Sequence, residues 1–188
     1  MDIIFDSVTA EVLSELEKTQ KEFWNIPRKT GVLLNTFIKM MNAQNVLEIG
    51  TSNGYSGIWL SKALKTTGGK LTTIEFYDKR QSVAIENFKK CGVNDIIRPL
   101  QGSAIEIIKG FDESEKFDFV FIDANKREYV EYFNLIKPHL TQKAMIVADN
   151  IISHAEKVQA FVDAVDSDDE FQYEILELPG GLLVAYRG

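Results

Sequence analysis

The sequence predicts an α/β fold: a mostly parallel seven-stranded sheet, helices on both faces, and a C-terminal antiparallel hairpin. Short apolar runs alternate with segments of helical period from Asn45 onward, and that alternation builds parallel sheets from strand–helix crossovers. The runs are rich in Val, Ile, Leu and Phe on both of their faces, as strands buried on both sides are. The last two runs are separated only by Pro179-Gly180-Gly181. That is too short for a crossover helix, so these two strands pair antiparallel.

Each element has its own warrant. Val8 to Phe23 carries Val12, Leu13, Leu16 and Phe23 at helical spacing, and Thr30 to Met41 carries Leu33, Leu34, Phe37, Ile38 and Met41. Pro27 breaks the chain between them, because proline disfavours helix in the residue before it. Then "NVLEI" leads to a helix from Tyr55 to Lys65, and "KLTTIE" to one from Asp78 to Cys91. "IIRPL" precedes a short helix from Ala104 to Lys109, and "FDFVFI" one from Lys126 to Lys137. "KAMIVA" precedes a helix from Glu156 to Val165, and "FQYEILEL" and "LLVAYR" form the hairpin. Asp78 with Gln81, and Ser153 with Glu156, have capping-box spacing.

The chain has 188 residues, 45% of them hydrophobic, enough for one core and too few for two. The expected organisation is therefore a single domain over 1–188, with N-terminal helices in 1–43 and the sheet core in 44–188. Net charge is −7, the wrong sign for a protein that holds nucleic acid by electrostatics, and it favours a small-molecule ligand. Lys89–Lys90 and Lys126–Arg127 leave local basic patches open, although paired charges of this kind are usually solvated surface. The single cysteine, Cys91, excludes an intramolecular disulfide and fits a reducing, cytoplasmic setting; it is expected to pack as a small apolar residue. "MDIIFDSVTAEVLSE" reads as no signal peptide, and no run is long enough to span a bilayer.

Ligands on such sheets bind beyond the carboxyl ends of the strands. Glu48–Gly54, Glu75, Gly102–Ala104, Asp123–Lys126 and Asp149–Asn150 all fall at strand exits. In "VLEIGTSNGYSG" the glycines Gly50 and Gly54 serve either a tight turn or a bare backbone laid against a ligand. A dinucleotide fingerprint fails, since Ser52 and Tyr55 stand where glycines are needed. Glu48 would repel a pyrophosphate and suit an ammonium, while Glu75 is placed to accept hydrogen bonds from ribose hydroxyls. An adenosine with a cationic amino-acid tail satisfies both, which is S-adenosylmethionine.

"VLEIGTSNGYSGIWL", "LTTIE", "FDFVFIDANKREY" and "VADN" together resemble the cation-dependent class I O-methyltransferases, the catechol and caffeoyl-CoA enzymes and their bacterial relatives. The resemblance implies a Rossmann-like methyltransferase core. It places Asn25, Ile26, Glu48, Gly50, Thr51 and Ser56 around the methionine end of the cofactor, with Asp123 beside them. Glu75 is implied on the ribose, and Ser103 and Ala104 on the adenine. Asp123, Asp149 and Asn150 match the metal ligands, and Lys126 matches the general base.

The chemistry fits those residue types. Two carboxylates and an amide carbonyl form an all-oxygen set suited to Mg²⁺ or a similar hard cation, which could chelate vicinal hydroxyls and acidify one. Taken singly, Asp149–Asn150 would be a turn, Asp123 a helix cap and Lys126 a surface lysine. Together at neighbouring strand exits they point to a site. The expected acceptor is a small catechol-like or vicinal dihydroxy compound. Nucleic acid is the second acceptor class, since some relatives resemble enzymes acting on hydroxylated tRNA uridine, and the acidic balance weighs against it. A homodimer with no membrane partner is the expected assembly. His139 and His154 lack metal-ligand spacing and read as surface or cap residues. Trp24 would either roof the cofactor or close the core, and its place at the end of an amphipathic helix favours the core. "IISHAEKV" stands where plant-type members carry a longer insertion, so an open acceptor pocket with broad tolerance is expected.

Overall fold

The computed structural model describes residues 5–188. Residues 1–4, part of the stretch read as no signal peptide, lie outside the described residues. The helical period of the N-terminal stretch yields two helices rather than one, α1 (Ser7–Lys18) and α2 (Gln20–Phe23). Asp6 caps α1 by accepting from the backbone N–H of Thr9 at 2.9 Å. The break falls at Thr19, whose hydroxyl turns back to the carbonyl of Leu16 at 3.1 Å and competes with helix continuation. The next helix, α3 (Arg28–Met41), starts directly after Pro27, two residues before the expected start. There proline's missing N–H costs nothing.

The remaining elements follow the expected order. They are β1 (Asn45–Ile49), α4 (Tyr55–Thr67), β2 (Lys70–Glu75), α5 (Asp78–Lys90), β3 (Ile97–Gln101), α6 (Ala104–Lys109), β4 (Phe117–Ile122), α7 (Tyr129–Ile136), β5 (Leu140–Asp149), α8 (Ala155–Asp166), β6 (Phe171–Leu176) and β7 (Leu182–Arg187). The expected helix from Lys126 to Lys137 is α7 flanked by 3₁₀ turns over Lys126–Glu128 and Lys137–His139. The seven strands lie in the order β3-β2-β1-β4-β5-β7-β6. All neighbours are parallel except β7, which runs antiparallel to both β5 and β6.

Neither expected capping box forms. Tyr77, not Asp78, occupies the N-cap of α5 and makes no side-chain cap bond. Asp78 Oδ1 accepts instead from the N–H of Lys79 at 2.7 Å, while the Tyr77 N–H is held by the Glu75 carboxylate at 2.9 Å. At α8 the cap is His154, and Ser153 Oγ engages the His154 ring at 3.0 Å instead of the helix backbone.

Each sheet face carries its own core. Leu34, Ile38, Ile58, Trp59, Leu60, Phe88, Val46 and Phe119 pack α3, α4 and α5 on one side, with Leu13 of α1 over them. Leu47, Ile49, Val120, Ile122, Phe133, Ile136 and Phe161 pack α6, α7 and α8 on the other. Cys91 is buried in the first of these cores, as expected. Among the described residues, no helix is long and apolar enough to cross a membrane.

The hairpin turn reaches the exit of β5. The N–H of Ile151 donates to Gly181 O at 3.0 Å, and those of Ile152 and Ser153 to Gly180 O at 2.9 and 3.0 Å. Gly181 has φ +80°, and a Cβ there would lie 2.4 Å from Ile152 Cγ1. No other residue type fits that approach.

Candidate active site

Period-2 alternation along β1 sends Val46 and Glu48 to the α4 face and Leu47 and Ile49 to the opposite one. An acid therefore stands at a core position, fully buried. It is satisfied by Ser56 Oγ at 2.5 Å and by Thr73 Oγ1 at 2.6 Å. Thr73 is its direct partner in the β1–β2 register, and it also meets Thr51 Oγ1 at 2.5 Å. Burial pushes the Glu48 carboxyl up to about 7, against the pull of the two hydroxyls and with some help from Asp123 and Glu75.

The loop after β1 is pinned on both sides. Gly50 N–H donates to Ile74 O at 3.0 Å, and Asp123 N–H donates to Ile49 O at 2.9 Å. Gly50 has φ +106°, and a Cβ on it would fall 2.0 Å from the carbonyl oxygen of Asp123. Gly54 is a different case. A Cβ there would meet the ring of Phe88 at 2.8 Å, so this glycine lets α5 pack on α4. Ser52 takes a left-handed φ of 49°, which lets its N–H reach Glu75 at 2.8 Å and its hydroxyl reach Phe23 O at 3.0 Å.

These exits border a cavity of about 960 Å³. Twelve of the thirteen sequence-selected residues line it: Asn25, Ile26, Gly50, Thr51, Ser56, Glu75, Ser103, Ala104, Asp123, Lys126, Asp149 and Asn150. Glu48 is the exception, and it sits one shell behind, reaching the wall through Ser56 and, by way of Thr73, Thr51. Asn25 contributes little of its amide, which is spent on Leu16 O at 2.9 Å. Glu75 binds two backbone N–H groups, one on each oxygen, which leaves a second lone-pair direction on each.

At the far end, Lys126 Nζ pairs with Asp123 Oδ1 at 2.7 Å, with both side chains largely enclosed. Asp149 is buried, and its Oδ1 has no hydrogen-bond partner. Burial, reinforced by the charge of Asp123, pushes the Asp149 carboxyl well above the ordinary carboxylate range. Asn150 follows in a left-handed turn, φ 66°. Among the described residues no cluster of three or more His, Cys, Asp and Glu could hold a metal; the candidate set here is two carboxylates and one amide. An orphaned buried carboxylate oxygen beside a second carboxylate and an amide carbonyl suits a hard cation.

Sequence reasoning missed several wall residues. Phe76, Tyr77 and Arg80 follow Glu75 directly and could have been found by extending that exit into the helix. Tyr132, His154, Lys157, Pro179 and Gly180 also line the cavity, and nothing in their local pattern announces it. Trp24 corrects the sequence reading outright. It is 72% exposed at the cavity rim, in a left-handed φ of 56°, and is no core residue.

The sequence matches the O-methyltransferase family model over residues 5–178. The chain belongs to the O-methyltransferase family. It is 37% identical over 124 residues to the catechol O-methyltransferase of Niastella koreensis, a match covering 65% of this chain and 56% of that protein. It is 31% identical over 147 residues to the catechol O-methyltransferase of Mycobacterium tuberculosis, covering 78% of this chain and 66% of that protein. These matches thus span under two thirds of either relative's length. The fold superposes on an O-methyltransferase from Bacillus cereus in complex with SAH, with TM-score 0.88, 25% identity, and 99% and 93% of the two chains covered. A Klebsiella pneumoniae structure superposes with TM-score 0.89 at 24% identity, covering 99% of this chain and 92% of that one.

Proposed function

We propose that this chain is an S-adenosylmethionine-dependent, divalent-metal-dependent O-methyltransferase acting on a small catechol-like or vicinal dihydroxy acceptor. One observation carries the reading. The buried, unpartnered oxygen of Asp149 stands with Asp123, Asn150 and Lys126 in the same cavity as the Gly50 loop and Glu75. Family membership and the Bacillus cereus likeness support the cofactor; the donor chemistry supports the metal.

In this reading Glu75 accepts from the ribose hydroxyls, and the Gly50–Ser56 loop and residues 25–26 surround the methionine end. Ser103 and Ala104 flank the adenine. Glu48 acts from behind, fixing the hydroxyls of Ser56 and Thr73. Asp123, Asp149 and Asn150 would hold the cation, which supplies Lewis acidity toward acceptor hydroxyls when bound. The chain's own work is alignment, since displacement at a sulfonium methyl needs the acceptor oxygen held in line. Lys126, paired with Asp123, would receive the acceptor proton in its neutral form. The catechol and caffeoyl-CoA names of the relatives point to an aromatic dihydroxy acceptor.

The test is methyl transfer from labelled cofactor to a catechol panel, with chelator and after Mg²⁺ addition. Chelator should abolish turnover and Mg²⁺ restore it, while Asp149→Ala keeps cofactor affinity and loses turnover. Full activity in metal-free protein, checked by elemental analysis, would defeat the metal assignment.

A further inference from the structure

Three large aromatic side chains, Trp24, Phe76 and Tyr77, are 72%, 61% and 57% exposed, and all three line the cavity. Arg80 stands between two of them. Its guanidinium carbon lies 4.8 Å from the centroid of Trp24 and 5.4 Å from that of Tyr77. Phe76 meets Tyr77 edge-on at 5.1 Å. Among the described residues Arg80 makes no ion pair, although the protein carries 28 acids. Its charge is given to two rings instead.

Those rings come from separate chain segments of the cavity lining. Trp24 lies in the segment between α2 and α3, whereas Tyr77 and Arg80 lie at the exit of β2 and the start of α5. A second set of contacts joins the same segments. Ser52 reaches Phe23 O at 3.0 Å and Glu75 at 2.8 Å, and Glu75 holds the Tyr77 N–H at 2.9 Å. The result is a closed circuit: Glu75, Ser52, Phe23, Trp24, Arg80, Tyr77 and back to Glu75. Its inner half is made of backbone hydrogen bonds to an almost fully buried carboxylate and a partly buried loop. Its outer half is exposed cation–π stacking, which is individually weak and breaks readily. Trp24 also adopts a left-handed φ of 56°, disfavoured for a bulky residue, and this conformation belongs to the ring that Arg80 stacks on. The Trp24 backbone is fixed by the end of α2, its N–H on Gln20 O, so the exposed ring stack can open and close without disturbing that turn, which is the arrangement of a latch.

We propose that Arg80 retains the bound cofactor. Stacked against Trp24 and Tyr77, it ties residues 23–27 to the β2 exit across the rim, and the cofactor leaves when that stack opens. The proposal rests on the cavity being the S-adenosylmethionine site.

The experiment measures release of S-adenosylhomocysteine from the full chain by competitor trapping. Removing two exposed stacks corresponds to a roughly five- to thirtyfold faster release. That rise is expected for Arg80→Ala, with Arg80→Lys intermediate because an ammonium lacks the planar face. Trp24→Ala should raise the rate as well, and the double variant should add little further, since both act through one contact. The chain has two tryptophans, and Trp59 is fully buried, so a change in accessible emission in Arg80→Ala reports Trp24. Unchanged release in Arg80→Ala, or additive effects in the double variant, would overturn the latch while leaving the cofactor site standing. A wild-type protein that binds no S-adenosylhomocysteine would overturn both. A large loss of ligand-free thermal stability in Arg80→Ala would make Arg80 a structural residue and overturn the latch alone.

Discussion

Substituting Gly50 by alanine tests how the site is built. Two costs add at this position. A side chain at φ +106° carries backbone strain of at least about 1–2 kcal/mol. The added Cβ would also lie 2.0 Å from the carbonyl oxygen of Asp123, a backbone atom with no rotamer to move. Relief requires the β1 and β4 exits to part, against the Asp123 N–H bond to Ile49 O at 2.9 Å, and overpacking of this kind costs about 1–3 kcal/mol. Gly50→Ala should therefore destabilise by roughly 2–5 kcal/mol and lower cofactor affinity, because Asp123 moves with its carbonyl. Gly68 provides the control: its φ is +81°, and a Cβ there meets nothing within 4 Å. Gly68→Ala should show the strain alone. Urea denaturation, with midpoints compared at unchanged m value, reads both. Equal destabilisation by the two variants would refute the argument that the glycine is required by the approach of Asp123.

Three further outcomes are expected. Glu48 holds its proton to higher pH when folded, about 7 against an ordinary 4.5. Its share of stability is thus full below 4.5, falls as pH rises to about 7, and is flat beyond. Glu48→Gln should remove that pH dependence, on the order of 3 kcal/mol, in urea midpoints at pH 4.5 and 8; an identical pH profile in the variant contradicts it. Glu75→Ala should weaken cofactor binding by about 1–3 kcal/mol in calorimetry, and unchanged affinity would remove the ribose assignment. Lys126→Ala should lower turnover by roughly 10²–10⁴ with little change in cofactor affinity, and the loss should shrink for acceptors with more acidic hydroxyls. A uniform loss across acceptors would leave Lys126 an electrostatic role.

The parallel core was legible because its strands are short apolar runs whose exits carry polar residues, so Glu75, Asp123 and Asp149 could be placed without coordinates. Glu48 was legible as a residue of the loop but not as a buried one. Its position depends on the phase of β1 against β2, and the partner Thr73 lies 25 residues away. The failed capping boxes have separate causes, and spacing reveals neither that Asp78 Oδ1 accepts from the Lys79 N–H nor that Ser153 Oγ engages the His154 ring. Trp24 was misread because a left-handed turn reverses the face its side chain would otherwise take. Pro179 and Gly180 had no local signal at all, for they join the cavity only through the pairing of β7 with β5.

That pairing gives assembly of the protein a definite order. Among the described residues β6 bonds to β7 and to no other strand, while β7 fills the place beside β5. Until residues 182–187 are synthesised, the growing chain shows water a bare β5 edge, and β6 has nowhere to dock. The unguarded edge is the kind that recruits other chains. The Asp149–Asn150 turn meanwhile lacks the Gly180 and Gly181 carbonyls that hold it. Closure of the Asp149 end of the cavity thus waits on β7. A chain cut before Leu182 should aggregate rather than persist as a soluble, cofactor-binding fragment.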